Sequence, residues 1–597
     1  MPAKLSPQKR PYCRYATHRQ IIVNSLGSPQ IRLGYFFDMT EKKAKLAMLF
    51  EPDGYSPKYK TQGRQMAGEA FLRAVAEHSD PATEYVAGYT GKQASADLFR
   101  EMISEMRPGL EARWIQPGRV DLLKEAGTFY VPDPNLRTAA YLRLRAGINA
   151  YSLCGVTHTT ATHSAMDLIR ELATAPVMPW DAMICTSPAV RTTVKNILEA
   201  EGDYIAWRFG TTVQTAACQL PVIPLGIHTE DFSPGAEKRA KGREFHGIAD
   251  DEIVFLYVGR LSPWVKAHPF PMYQGLAEVA RRSDKKITLI ECGWYTNDSF
   301  QKMADDARKE ICPDLNYRFV DGRDFTARDH CWAGADIFVS MSDNLQETFG
   351  ITPVEAQAAG LPVLVSDWDG YKSLIEDGEQ GFKIRSAMAS NTSALAKNYE
   401  SSLVYGRYCA ETSLLTSIDI GQFIDKALQL ANNNDLRQTM GKKGLERART
   451  FYDWRVVYQQ YEQLWQDLSA RRHAALHDPN LKMLIDKAPS CSPARLPPSI
   501  AFEGYPTQFV TAETRVQVAV KHPLNHYEKL KDLHIFQMSV SALPQVDEIR
   551  LILDTAATIG PASVKRIAIT LRLGEAKAQR AIAILLKMGI VEIVLED

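Results

Sequence analysis

The chain has 597 residues and a formal net charge of zero, 70 Lys plus Arg against 70 Asp plus Glu. It therefore lacks the global field that would draw it onto nucleic acid or an anionic membrane. Hydrophobic residues at 45% and charged residues at 23% exclude wholesale disorder, a collagen-like repeat and a membrane bundle, and the length calls for roughly two to four domains.

Residues 1–20 are basic and are followed by no apolar stretch, so they read as a flexible start and not as a signal peptide. From 21 to 222 short apolar runs alternate with helical patterns. AKLAMLF (44–50) is strand-like, and QMAGEAFLRAVAEH (65–78) spaces its apolar residues at helical period. AYSLCGVTHTT (150–160) reads as a strand entering a loop, and DAMICTSPAVRTTVKNIL (181–198) as strand, Ser-Pro break and helix. Such repetition predicts a parallel sheet covered on both faces.

QLPVIPLGIHTEDFSP (219–234), with three prolines, reads as a hinge into a second region at 223–450. IVFLYVG, within DEIVFLYVGRLSP (251–263), is a strand of the fully buried kind. KKITLIECG, NYRFVDG, ADIFVSMS and GLPVLVSDWDG supply four more strand candidates up to 370. The helix YDWRVVYQQYEQLWQDLSARR (452–472) closes the unit as a crossover at 451–475. Residues 476–510, rich in Pro, Ser and Gly, read as a linker, and 511–597 as a small, mainly helical module.

The densest chemical signal is ETFGITPVEAQAAGLPVLVSDWDG (347–370). Glu347 and Glu355 flank a loop-to-helix junction holding Thr348, Phe349, Gly350 and Ile351, and Pro353 suits a first helical turn. The free amides and positive dipole end of such a junction bind anions, and Gly350 permits close approach. A diphosphate there would lie between two carboxylates able to accept hydroxyl groups, which is the layout of a nucleotide sugar. In VGRLSPWVK (258–266), Arg260 and Lys266 stand just past the first strand of the same half. Ligands of open α/β sheets bind at those strand ends, and two cations there suit a diphosphate gaining charge as it leaves.

These residues resemble the retaining glycosyltransferases of the GT-B fold, family 4. The likeness rests on Gly259–Arg260…Lys266, on Glu347-Thr-Phe-Gly, and on Glu355-Ala…Ala359-Gly360-Leu-Pro362-Val363. It spans about 20–475, and PLGIHTEDF (224–232) is similar to the family's hinge. The resemblance implies an α/β architecture of two Rossmann-like doubly wound domains facing a cleft. It implies that Arg260, Lys266 and the amides of Phe349, Gly350 and Ile351 hold the diphosphate, that Glu355 binds the ribose, and that Glu347 lies beside the transferred sugar. His158 resembles the histidine that faces this sugar from the first domain, with His163 a nearby rival. Gly63–Arg64 resembles the glycine loop near phosphate and acceptor, and Gly322 and Arg323 stand where the base is read. Ala267 in place of the usual Gly, one extra residue between Arg260 and Lys266, and Trp264 depart from the common loop.

The implied reaction moves a sugar from a nucleotide-diphosphate donor to a hydroxyl acceptor, a glycan or lipid-linked glycan among them. It proceeds with retention, the leaving phosphate taking the acceptor's proton. Glu347 is expected to stabilise charge, because no second carboxylate is placed to act as its acid/base partner. Neither a cofactor nor a metal is expected, since the cations and the helix end already face the diphosphate. Asp367-Trp-Asp369 resembles a metal motif of another transferase fold but occupies an ordinary strand-end position, and is not read as a metal site. A nucleotide-sugar epimerase, or a scaffold that binds without catalysis, are the competing readings. The nine cysteines are odd in number, scattered and without a C-x-x-C pair, which points to a reducing, cytoplasmic setting; contact of the basic start with the inner face of a membrane stays open. The tail from 562 is similar to a winged helix. With ten basic and nine acidic residues from Lys521 onward it lacks a DNA-binding footprint, so a protein partner or homo-oligomer contact is expected there.

Overall fold

The computed structural model describes residues 42–56, 63–211, 217–233 and 235–594. The basic start at 1–20, and residues 57–62 of the first loop, lie outside the described residues. The chain divides into two compact units that part between Ser492 and Pro493.

The first unit contains two six-stranded parallel sheets. In the first, β1 (Lys43–Leu49), β2 (Glu84–Tyr89), β3 (Glu111–Ile115), β4 (Thr128–Val131), β5 (Ser152–Val156) and β6 (Ala182–Ile184) lie in the order β3-β2-β1-β4-β5-β6. In the second, β7 (Glu252–Leu261), β8 (Lys286–Tyr295), β9 (Asn316–Asp321), β10 (Ile337–Ser340), β11 (Val363–Ser366) and β12 (Gly381–Ile384) lie in the order β12-β11-β10-β7-β8-β9. Both are doubly wound Rossmann-like sheets with a topological switch point beside their first strand, and together they make the GT-B arrangement. Strand β7 shows why a continuous apolar run suits this position: Val254, Leu256 and Val258 pack into one core, and Ile253, Phe255 and Tyr257 into the other.

Strand β12, which follows the four further candidates of the second region, has only four residues and no alternation to reveal it. The expected linker at 476–510 also carries more structure than its composition suggests. Asp478 caps the helix Pro479–Asp486 by accepting from the amides of Asn480 and Leu481, and Leu481, Ile485 and Ala488 pack beside Trp180.

The helix Trp454–Ala474 crosses from the second half back to the first. Trp454, Tyr458, Tyr461, Trp465 and Leu468 are buried with Phe71, Tyr130 and Cys154 of the first sheet's core. Its N-terminus is fastened to the hinge. The Ile227 amide donates to Tyr452 O and the Trp454 amide to Ile227 O, while the Thr229 hydroxyl donates to the Asp453 carboxylate. Asp453 also caps the helix, accepting from the Arg455 amide at 2.9 Å and from its guanidinium at 2.7 and 2.8 Å.

The second unit packs the helices Pro523–Lys531, Val546–Ile559, Val564–Thr570 and Glu575–Lys587 against an antiparallel sheet of β15 (Arg515–Val518), β16 (Ala562–Ser563) and β17 (Val591–Ile593), in the order β16-β15-β17. Its own core contains Tyr527, Ile549, Leu553, Ile567, Ile582 and Leu585. Among the described residues no helix is long and apolar enough to cross a membrane.

Burial alone would raise the Asp453 pKa, but hydrogen bonds from Arg455 and Thr229 overcome it and hold the carboxyl down at about 2. A carboxyl depressed in this way stabilises the fold above its unfolded pKa and loses that contribution as the pH falls through about 2. Asp453→Ala is therefore expected to cost about 2 kcal/mol at neutral pH, through the lost cap and the stranded Thr229 hydroxyl. In thermal unfolding the gap to wild type should narrow below about pH 4; a gap independent of pH would remove Asp453 from this role.

Candidate active site

A cavity of about 450 Å³ lies between the two sheets. The loops that build it leave the C-terminal ends of β1, β5, β7, β8, β9 and β10, the edge where open α/β sheets bind ligands. From the first half come Gly63 and Arg64, which open the helix Gly63–Glu77 after β1, and His158 after β5. The second half contributes Gly259 and Arg260 from the end of β7, Lys266 just past it, Gly322 after β9, and Glu347, Thr348, Phe349, Gly350, Ile351 and Glu355 after β10. Arg323 is not among the lining residues: its guanidinium is turned onto the neighbouring Asp321 carboxylate at 2.7 Å. His163 also lies off the cavity wall, at the start of the helix His163–Arg170.

The floor is made of glycine. Gly259 and Gly293 are register partners on β7 and β8, and the Gly322 amide donates to Gly293 O at 2.9 Å. A Cβ on Gly293 would lie 1.9 Å from Gly259 O, and one on Gly322 would lie 3.0 Å from Gly293 Cα. The three strand ends thus approach one another with no side chain between them, so a flat ligand group can rest on backbone.

Above this floor starts the helix Ile351–Ala358. Its N-cap, Gly350, has φ +94 and no capping side chain, and a Cβ there would stand 2.2 Å from the Tyr371 ring. Glycine is required on both counts, and the first-turn amides are left without a side-chain acceptor. The Arg260 guanidinium donates to the neutral Gln346 carbonyl at 3.1 Å, and burial pulls its pKa down; it is a desolvated cation without a carboxylate beside it. Lys266 Nζ lies 3.5 Å from Glu347 Oε2. Two cations and an uncapped helix end therefore converge on one volume, an arrangement suited to an anion with spread charge.

Two groups titrate unusually. Burial raises the Glu355 pKa to about 7, against the opposing charge of Arg328. Burial, helped by the Arg64 charge, lowers His158 to about 3, so its imidazole is neutral across the physiological range. The two halves also touch here, where the Thr348 hydroxyl donates to His158 O at 3.1 Å. Arg64 itself pairs with Asp133 at 3.2 Å.

Sequence patterns did not reveal several neighbours of this site. Arg328 comes from the helix Phe325–Gly334, and its buried Nε has no hydrogen-bond partner. Trp294, Thr159 and Tyr405 also line the cavity. The Glu347 charge is felt by one further carboxyl group. Asp369, at φ +41 just past β11, has a pKa raised well above the usual value, first by burial and then by the Glu347 charge. In the Asp367-Trp-Asp369 segment, Asp367 faces Lys372 at 3.5 Å and Trp368 donates to Asn344 O. Among the described residues no three His, Cys, Asp or Glu side chains converge as a metal site.

Residues 238–403 match the family model Glycosyl transferases group 1. A D-inositol 3-phosphate glycosyltransferase of Corynebacterium glutamicum is 25% identical over 262 residues, 43% of this chain and 53% of that protein. A protein of the same description from Kribbella flavida is 23% identical over 402 residues, 66% of this chain and 84% of that protein. The chain thus spans about half the length of the first of these relatives. Among solved structures, Anabaena HepE in complex with UDP and glucose aligns at a TM-score of 0.47 and 15% identity, over 72% of this chain and all of that one.

Proposed function

We propose that the protein is a retaining glycosyltransferase that moves a sugar from a nucleotide-diphosphate donor to an acceptor hydroxyl. The observation that carries this reading is the convergence of Arg260, Lys266 and the uncapped start of the helix Ile351–Ala358 on a cavity where Glu347 stands at one side and Glu355 one turn inside the helix. The match of residues 238–403 to the group 1 family supports it.

In this reading the diphosphate lies at the helix start. The Phe349, Gly350 and Ile351 amides, Arg260 and Lys266 share its charge as the bond from the anomeric carbon to the phosphate oxygen breaks. The nucleoside lies over the glycine floor at Gly322, with its ribose hydroxyls on Glu355. The acceptor oxygen attacks the anomeric carbon on the face the phosphate leaves, and passes its proton to that phosphate. Glu347 faces the positive charge that develops on the sugar ring, and His158, held neutral, exchanges hydrogen bonds with the sugar hydroxyls. This scheme needs neither a metal nor a cofactor, because protein cations and a helix dipole perform the neutralisation. Arg64 stands on the acceptor side. A phosphorylated polyol acceptor would suit it, in keeping with the relatives described as inositol phosphate transferases.

We place the protein in the cytoplasm; the seven buried cysteines among the described residues form no disulfide, which favours a reducing setting. The second unit we read as winged-helix-like, with Glu575–Lys587 in the recognition position. Lys577 on that helix is engaged by Glu548 at 2.6 Å, while Ile535, Met538 and Val540 of the same unit stand exposed, which favours protein contact over nucleic acid.

Two measurements test the reading. With a panel of nucleotide sugars followed by NMR, Glu347→Ala should lower turnover of the accepted donor about 100-fold or more while nucleoside diphosphate affinity stays within about threefold. Turnover near wild type would remove Glu347 from the reaction. For pH, Glu355 accepts two ribose hydroxyls only when ionised. Donor affinity measured by calorimetry should therefore climb as the pH rises through about 7 and level off above it. Glu355→Gln should flatten that profile, and an unchanged slope would place the ribose elsewhere.

A further inference from the structure

Strands β13 (Ser386–Met388) and β14 (Thr416–Ile418) form an antiparallel ribbon, and between them run the helices Ser393–Ser402 and Tyr405–Leu414. This hairpin belongs to the second half but is tied to the first. The Tyr399 ring stacks on Tyr408 at 4.2 Å and 3°. The Tyr399 hydroxyl accepts from the His163 amide at 2.7 Å and donates to Ala161 O at 3.4 Å. Both of these residues lie in the segment after β5 that also carries His158 and Thr159. On its other side, the first turn of Tyr405–Leu414 lies on the Arg260–Lys266 loop, where a Cβ at Gly406 would touch the Trp264 ring at 3.7 Å. Trp264, unexplained by the sequence, is thereby part of the hairpin's seat.

Held at both ends, the hairpin presents Tyr405 to the cavity. Neither its buried hydroxyl oxygen nor that of Thr159 on the facing wall makes a close hydrogen bond, although the Thr159 hydroxyl and the Cys409 thiol both lie near enough to interact with the Tyr405 hydroxyl. The two groups are near enough for Thr159 to bear on the titration of Tyr405, whose pKa burial drives upward. A buried hydroxyl left without a partner is unfavourable, because it has given up its hydrogen bonds to water. Two such groups at one cavity wall, one from each half of the unit, are matched by a ligand hydroxyl that can donate to one and accept from the other.

We propose that Tyr405 is a specificity-determining residue whose hydroxyl reads one hydroxyl of the bound sugar or polyol. This rests on the transferase reading above. The ligand hydroxyl can belong to the donor's sugar or to the acceptor, and the kinetics tell these apart.

The test uses the full chain and the variant Tyr405→Phe, which removes one oxygen and no carbon. UDP-, GDP- and ADP-glucose, and donors lacking one sugar hydroxyl at a time, are assayed for hydrolysis without acceptor and for transfer to myo-inositol 3-phosphate. The variant should lose about tenfold in kcat/KM with the full substrates. That deficit should fall below about twofold with the single analogue that lacks the hydroxyl being read. Nucleoside diphosphate affinity and the thermal midpoint should equal those of wild type. A deficit already present in hydrolysis assigns the donor sugar; one confined to transfer assigns the acceptor. Equal kinetics of variant and wild type on every substrate would overturn the inference. So would a loss of equal size on every analogue accompanied by weaker nucleoside diphosphate binding, which would mean a merely structural role. A wild-type protein that turns over no nucleotide sugar would instead overturn the transferase reading and this inference together.

Discussion

The cleft exists because the last helix of the first unit does not stay with the half that precedes it. Each Rossmann-like sheet is complete in itself and offers its C-terminal strand edge to solvent; a site between two such edges requires that they be fixed face to face. Asp453 does this at the point where the hinge and the returning chain run side by side, capping one helix and receiving the Thr229 hydroxyl from the hinge. The aromatic face of Trp454–Ala474 then buries itself in the first half. Burial of several aromatic side chains is worth several kcal/mol, which fastens this helix firmly to the first half. The contact of Thr348 with His158 O and the Tyr399 clasp span the cleft at its working end.

Within that frame the site is organised around charge. Its backbone elements supply partial positive charge at the helix start and a side-chain-free floor at Gly259, Gly293 and Gly322. Its side chains add Arg260 and Lys266. Of the carboxyl groups near them, burial raises Glu355 to about 7 and Asp369 well above its usual value, so both ionise less readily than a solvated carboxyl. Such a preformed field costs little reorganisation when charge develops on a leaving group.

Much of this was legible in the sequence where local chemistry and fold coincide. A buried strand such as β7 announces itself by its apolar run, and the junction at Glu347–Glu355 by a glycine, a proline and two carboxylates at a helix start. Strand β12 does not, because its Gly-Phe-Lys-Ile lacks the unbroken apolar run that marks β10 and β11, which are equally short. The linker composition of 476–510 concealed a helix because its prolines, one of them at the first helical position, read as breakers when they are starters. Arg328 and Tyr405 were missed for a common reason: each reaches the cavity from a helix whose own pattern does not signal a ligand. Arg323 erred in the opposite direction, a cation at the right strand end whose guanidinium is taken by the carboxylate two residues earlier.

The central claim is that the start of the helix Ile351–Ala358 is a diphosphate site shared with Arg260 and Lys266. It is tested most directly by a crystal structure of the full chain bound to whichever of UDP, GDP and ADP binds tightest. The account predicts phosphate oxygens within hydrogen-bonding distance of the helix's first amides and of both cations, with the ribose hydroxyls on Glu355. A nucleotide bound outside the cleft, or inside it with its phosphates turned away from Gly350, would contradict the account.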